Sequence, residues 1–168
     1  MTVSPAALPL RPEDFYHTGI VVPDLEAAMS RLTALAGYRW INPLSYTLPF
    51  RTTTGIRELT STIVYSVQGP HIELVQQVPG TPWMPAPGNS VHHIGYFTDN
   101  LAESAKALAD HGFTLEMTGA VGDSEHSLFA YYVDEAGTRI EIVDRSLFPD
   151  WHGFLQAASQ STARSDGS

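Results

Sequence analysis

His17-Thr18-Gly19-Ile20-Val21-Val22-Pro23-Asp24-Leu25 and His93-Ile94-Gly95-Tyr96-Phe97-Thr98-Asp99-Asn100-Leu101 are two versions of one phrase. Each has His, one residue, Gly, an apolar-rich run, an Asp or Asn suited to starting a helix, and Leu. The second copy stands 76 positions after the first. A second pair follows: Gly69-Pro70-His71-Ile72-Glu73-Leu74-Val75 and Gly137-Thr138-Arg139-Ile140-Glu141-Ile142-Val143, 68 positions apart. Pro82-Trp83 and Asp150-Trp151 keep the spacing of 68 for the Trp. The chain therefore reads as a duplicated unit, with one His near the start of each copy and one Glu near its end.

Around these phrases the chain predicts the same element order twice. Phe15 to Val22 is rich in aromatic and β-branched residues, ends at Pro23, and reads as a strand. Asp24 suits the N-cap of a helix from Leu25 to about Ala36, stopped by Gly37, with Ala28, Met29, Leu32 and Leu35 at helical spacing. Strands are expected near Tyr46–Thr53, Leu59–Ser66 and His71–Gln76. In the second copy Val91 to Thr98 is a strand, and Asn100, with Glu103 three residues on, caps a helix to about His111. Leu115–Thr118, Leu128–Val133 and Arg139–Val143 follow as strands. The expected organisation is an arm over 1–13, a first βαβββ module over 14–76 and a Pro/Gly-rich linker over 77–90. A second βαβββ module covers 91–145 and a tail 146–168. In the tail Trp151 to Ala158 is expected to be helical and Ser159 to Ser168 disordered. The fold class is α+β.

Alternation along a strand puts His17, Gly19 and Val21 on one face, and likewise His93, Gly95 and Phe97. A Gly two residues after the His removes a side chain beside it and leaves room for a ligand. Glu73 shares a face with His71 and Val75, while Ile72 and Leu74 point the other way. Glu141 shares a face with Arg139 and Val143, with Ile140 and Ile142 opposite. A carboxylate inside an apolar strand is costly unless it is paired or bound to a metal, and here it occurs twice at matching positions. His17, Glu73, His93 and Glu141 together look like one metal site built by duplication. Matching to His17 selects His93 over its neighbour His92, which is expected to be a packed or surface residue. His71 is expected to contact substrate or support the site. Trp83 and Trp151 are expected to cover the core of the module. Phe97, on the face of His93, is the expected wall of a pocket, and Arg139, Arg51 and Arg57 are candidates to hold an anionic group.

Composition narrows the function further. The 168 residues are 43% hydrophobic and 16% charged, as in ordinary globular proteins. No apolar run approaches the roughly 20 residues of a membrane helix. Met1 to Pro12 lacks a basic n-region and a continuous apolar stretch, so no secretory signal and a cytoplasmic location are expected. Cys is absent, which excludes thiolate ligands and leaves N and O donors. A net charge of −9, with Lys106 the single lysine, argues against nucleic-acid binding.

At these residues the chain resembles the vicinal oxygen chelate superfamily, which includes glyoxalase I, methylmalonyl-CoA epimerase, extradiol dioxygenases and antibiotic-resistance proteins. The resemblance spans about residues 14–145 and rests on His17-x-Gly-Ile-Val-Val-Pro-Asp-Leu, His93-Ile-Gly-Tyr and Gly137-Thr-Arg-Ile-Glu141. It implies that the two modules form one domain, a half-open mixed β-barrel with flanking helices cupping one divalent metal ion (Zn, Ni, Co, Mn or Fe). By position the ligands are His17, Glu73, His93 and Glu141. The set His, Glu, His, Glu is closer to glyoxalase I than to the epimerases or the dioxygenases.

The implied reaction is proton transfer α to a metal-chelated carbonyl of a small molecule, as in a lyase or isomerase, with Glu73 or Glu141 as the proton carrier. Family analogy favours Glu141. The alternative is a metal-independent binding or drug-sequestration protein of the same fold; an extradiol-type dioxygenase is a more distant one, and a purely structural metal a third. A homodimer is the expected assembly.

Overall fold

The computed structural model describes residues 8–88 and 91–160. Residues 1–7 of the expected arm, 89–90 of the linker and 161–168 of the tail lie outside the described residues. A 3-10 turn at Pro12–Asp14 leads into β1 (Phe15–Val22), α1 (Leu25–Ala36), β2 (Leu44–Thr52), β3 (Gly55–Tyr65) and β4 (Ile72–Gln76). Next come β5 (His93–Thr98), α2 (Leu101–Asp110), β6 (Thr114–Gly119), β7 (Ser127–Val133) and β8 (Arg139–Asp144). A 3-10 turn at Arg145–Leu147 precedes α3 (Trp151–Gln160). The βαβββ order occurs twice, as the duplicated phrases predict. Hydrogen-bonded neighbours run β1-β4-β3-β2-β6-β7-β8-β5, an eight-strand mixed barrel. Only β1–β4 and β5–β8 pair in parallel among the described ladders, and these are the two pairs that carry the repeated phrases.

Local signals act where they were read. The Asp24 side chain accepts from the Ala27 N–H at the start of α1, and Asn100 accepts from the Glu103 N–H at the start of α2. Such caps satisfy donors that have no partner inside the helix. Gly37 ends α1 in the left-handed region at φ 72°, which a side chain would strain. Spacing overstated one face. Leu25 and Ala28 of α1 are buried, but Leu35 is 77% exposed. Periodicity defines a face, and burial depends on what lies opposite it at each turn. The tail helix extends past Ala158 through Gln160, and Ser159 Oγ donates to the Gln156 carbonyl. Ser159 and Gln160 thus belong to the helix rather than to a disordered end.

The chain divides into two compact units. One comprises His17–Thr47, Thr60–His92 and the chain from Phe148 onward. It holds most of β1, α1, β4 and α3. Leu74 of β4 is fully buried on the side opposite Glu73. The linker is pinned inside this unit. Buried His92 donates its backbone N–H to the Gly19 carbonyl, and its Nε2 lies 2.7 Å from the Pro82 carbonyl oxygen. Trp83 beside it is buried.

The other unit comprises the chain up to Tyr16, the tip of the β2–β3 hairpin (Leu48–Leu59), and His93–Leu147. Its outer core is Ala105 and Leu108 of α2 against Ala130 and Tyr132 of β7 and Ile142 of β8. Leu10, Phe113, Leu115 and Ile140 pack around them. The opposite faces of β7 and β8 carry Phe129, Tyr131 and Glu141, and His93 and Phe97 come from β5. One period-2 pattern therefore serves a hydrophobic layer on one side and a polar constellation on the other.

Candidate metal centre

Each parallel pair positions its Glu by register. In β1–β4 the Cα partner of Glu73 is Gly19, two residues after His17. In β5–β8 the partner of Glu141 is Gly95, two residues after His93. The missing side chain at Gly lets the carboxylate swing toward the His on the same face. His17 Nε2 lies 3.7 Å from Glu73 Oε1, and His93 Nε2 lies 3.2 Å from Glu141 Oε2. All four side chains are buried, with exposures of 0%, 3%, 1% and 6% for His17, Glu73, His93 and Glu141. Buried carboxylates are retained only where cations or strong donors compensate the lost hydration.

The antiparallel neighbours add a tyrosine to each half. Tyr65 of β3 pairs with Glu73, and Tyr131 of β7 pairs with Glu141. The Tyr65 ring sits edge-on to His17 at 5.7 Å, and the Tyr131 ring is 4.9 Å from His93. Each half is thus a His, a Glu and a Tyr delivered by three adjacent strands. The tyrosines are 66 positions apart rather than 68, because the hairpins before the two Glu differ in length. Constant offset therefore misses them; hairpin register finds them.

Each half therefore holds one buried imidazole and one buried carboxylate that could ligate a metal ion: His17 with Glu73, and His93 with Glu141. Two neutral imidazoles and two carboxylates are a suitable donor set for a divalent transition ion and balance its charge.

The other predicted residues separate by environment. Phe97 is buried on the face of His93 and stacks on Tyr16, ring centroids 3.6 Å apart. Arg145 lies over the same Phe97 ring at 5.5 Å. Arg139 shares the face of Glu141, but its Nε and an Nη donate to the two carboxylate oxygens of Glu116 at 2.6 and 3.0 Å. That bidentate pair commits Nε and one Nη of Arg139 to Glu116. Arg57 is exposed on the hairpin. His71 Nδ1 lies 3.1 Å from the Ser66 carbonyl oxygen, which assigns its proton to Nδ1. Burial pushes this imidazole below the usual histidine range; the Ser66 carbonyl opposes the shift, and His152 and His17 add to it.

Trp151 departs from the expectation drawn from its match to Trp83. It sits in α3 and packs edge-on to Tyr65 at 4.9 Å and to His71 at 5.7 Å. Both partners come from the first repeat, so Trp151 packs on that module. The remaining histidines have local partners: His111 Nδ1 contacts the Ala107 carbonyl, and His126 Nε2 is 2.9 Å from the Tyr132 hydroxyl.

The model of the glyoxalase/bleomycin resistance protein/dioxygenase superfamily matches residues 16–132. The chain belongs to this superfamily. Among solved structures it is similar to a Streptomyces coelicolor methylmalonyl-CoA epimerase variant in complex with 2-nitronate-propionyl-CoA. That match has 16% identity and a TM-score of 0.51, and covers 78% of this chain and 96% of the epimerase. It is also similar to the methylmalonyl-CoA epimerase of Mycobacterium tuberculosis, at 15% identity and a TM-score of 0.52, over 82% of this chain and 90% of that one. Leishmania major glyoxalase I matches at 17% identity with a TM-score of 0.32, over 88% and 97%. No curated protein matches this chain. The epimerase likenesses establish the fold alone. Family membership carries the superfamily's α+β barrel to this chain; the chemistry rests on its own residues.

Proposed function

We propose that the protein is a metal-dependent enzyme that moves a proton α to a carbonyl of a small molecule, as lyases and isomerases of the superfamily do. The observation that carries this reading is the duplicated burial of a carboxylate against an imidazole, His17 with Glu73 and His93 with Glu141. His17, Glu73, His93 and Glu141 would hold one divalent ion. Such an ion polarises a chelated carbonyl and acidifies the neighbouring C–H bond. His17 and His93 serve as neutral donors. Glu141 is the proposed proton carrier: its carboxylate takes the proton from the substrate carbon and returns it to the adjacent atom. Glu73 is the second candidate for that role. Phe97 and Tyr131, in the unit that holds His93, would supply an apolar wall that limits water around the reacting carbon.

The substrate class we propose is an α-hydroxy-carbonyl compound or an acyl thioester, the latter because the epimerase neighbour is complexed with an acyl-CoA analogue. Arg139, held by Glu116, is not proposed as the anion clamp; His71 remains a candidate substrate contact. We further propose a cytoplasmic homodimer, to be checked by sedimentation and fractionation. No helix among the described residues is long and apolar enough to cross a membrane.

Elemental analysis of protein purified without chelator or affinity metal, beside the His17→Ala/Glu141→Ala variant, tests the reading. About one divalent ion per chain, lost in the variant, is the expected result. Absence of metal from the wild type, even after Zn²⁺, Ni²⁺, Mn²⁺ or Fe²⁺ is supplied, would overturn it and favour a metal-independent binding protein.

A further inference from the structure

We propose that α3 is a working part of the metal centre. In this view Trp151 fixes the Tyr65 ring, and Tyr65 in turn orients His17 as a ligand. The inference rests on the metal reading above. Its starting point is the packing around each His. On the His93 side the packing is supplied by strands: Tyr131 lies 4.9 Å from His93, Phe129 of the same strand lies 5.1 Å from Tyr131, and Phe50 of β2 backs Phe129 at 5.9 Å. On the His17 side the segment after the last strand packs on Tyr65. Trp151 meets Tyr65 at 4.9 Å and 88°, and Phe148 meets it at 6.2 Å and 85°.

This segment is built to stay in place. Phe148 packs on Trp151 at 5.2 Å and on Phe154 at 4.9 Å, and Leu155 of α3 is buried. Trp151 also meets His71, which shares a face with Glu73. One indole therefore touches the residue beside His17 and the residue two positions before Glu73. The family model ends at residue 132, so α3 lies outside the matched segment. Edge-to-face contact is a favoured arrangement of aromatic rings at these distances. A ligand's orientation depends on its outer partners, and losing a hydrogen-bonded one typically weakens metal binding by about 10- to 100-fold. Trp151 is thus a positioning residue: it reaches the ligand through Tyr65 and need not touch the ion.

The test is a competitive titration of the full chain with Zn²⁺ and with Co²⁺, whose visible absorption reports ligand geometry. Trp151→Ala is expected to weaken binding about tenfold and to alter the Co²⁺ spectrum, while Trp151→Phe restores both. Should Trp151→Ala fail to unfold cooperatively, Trp151→Leu replaces it, keeping apolar bulk without an aromatic edge, with the same expectation. Wild-type affinity and an unchanged spectrum in the Ala or Leu variant would overturn the inference, even if the variant melts at a lower temperature. Equal weakening by Trp151→Phe would overturn it as well. Wild-type protein that takes up neither ion would end the metal reading itself, a result distinct from these.

Discussion

The β1–β4 half and the β5–β8 half carry the same three residues in the same register and differ in what surrounds them. In both, a Glu lies beside a Gly on its parallel neighbour and beside a Tyr on its antiparallel neighbour. His93 and Glu141 approach to 3.2 Å, whereas His17 and Glu73 stand 3.7 Å apart. The position two residues before the Glu is His71 in one half and Arg139 in the other. Arg139 is bound by Glu116, and His71 is bracketed by the Ser66 carbonyl and Trp151. Duplication thus preserved the elements that fix ligand direction and let the flanks diverge. A backbone register is expensive to change because slipping by one residue turns every side chain to the other face. A flanking side chain can change alone.

The comparison breaks most visibly at the ligands. If the halves contribute equally, His17→Ala and His93→Ala should each weaken metal binding by at least about 100-fold in a chelator competition, since each removes a ligand outright. A strong loss in one and wild-type binding in the other would show that only one half holds the ion. Among the carboxylates the expectation is asymmetric. Glu141→Gln should keep the fold and lower turnover by about 10²- to 10⁴-fold, more than Glu73→Gln does. The reverse order in steady-state kinetics would move the proton carrier to Glu73.

Stability sharpens the contrast at a smaller scale. Asp14 belongs to the unit containing His93 and is buried. Burial opposes its charge, but hydrogen bonds and charge from Arg11 and Arg145 outweigh this and hold its carboxyl below the usual range. A depressed folded value means that the stabilisation is full above the unfolded value, near pH 4, and fades as pH falls toward the folded one. Asp14→Asn should cost about 2 kcal/mol at neutral pH and flatten the acid limb of a denaturant-monitored pH profile. An unchanged acid limb would remove Asp14 from the account.

The smallest effects test whether the repeats are energetically alike. Asp24→Ala and Asn100→Ala each delete one N-cap hydrogen bond and should each cost about 1 kcal/mol in chemical denaturation. A clear inequality would show that α1 and α2 no longer bear equal loads.

Much of this molecule was legible in two short phrases. The His and Glu of each repeat, their faces, both caps and the βαβββ order follow from local rules: alternation on strands, 3.6-residue spacing and capping chemistry. That a tyrosine stands beside each Glu was not legible, because this depends on hairpin register, and the hairpins differ in length between copies. The exposure of Leu35 was missed for a related reason: its periodicity is right, and only the packing decides which turn is covered.

The sequence by itself determined the duplicated unit, the fold class and the identity of four candidate ligands, because each is encoded within a few consecutive residues. Tertiary structure alone decided that Arg139 is held by Glu116, that Tyr65 and Tyr131 flank the carboxylates, and that Trp151 packs on Tyr65 and His71 of the first repeat. Those are pairings between distant positions. No local pattern specifies them, because their free energy exists only once the strands and α3 have been brought together.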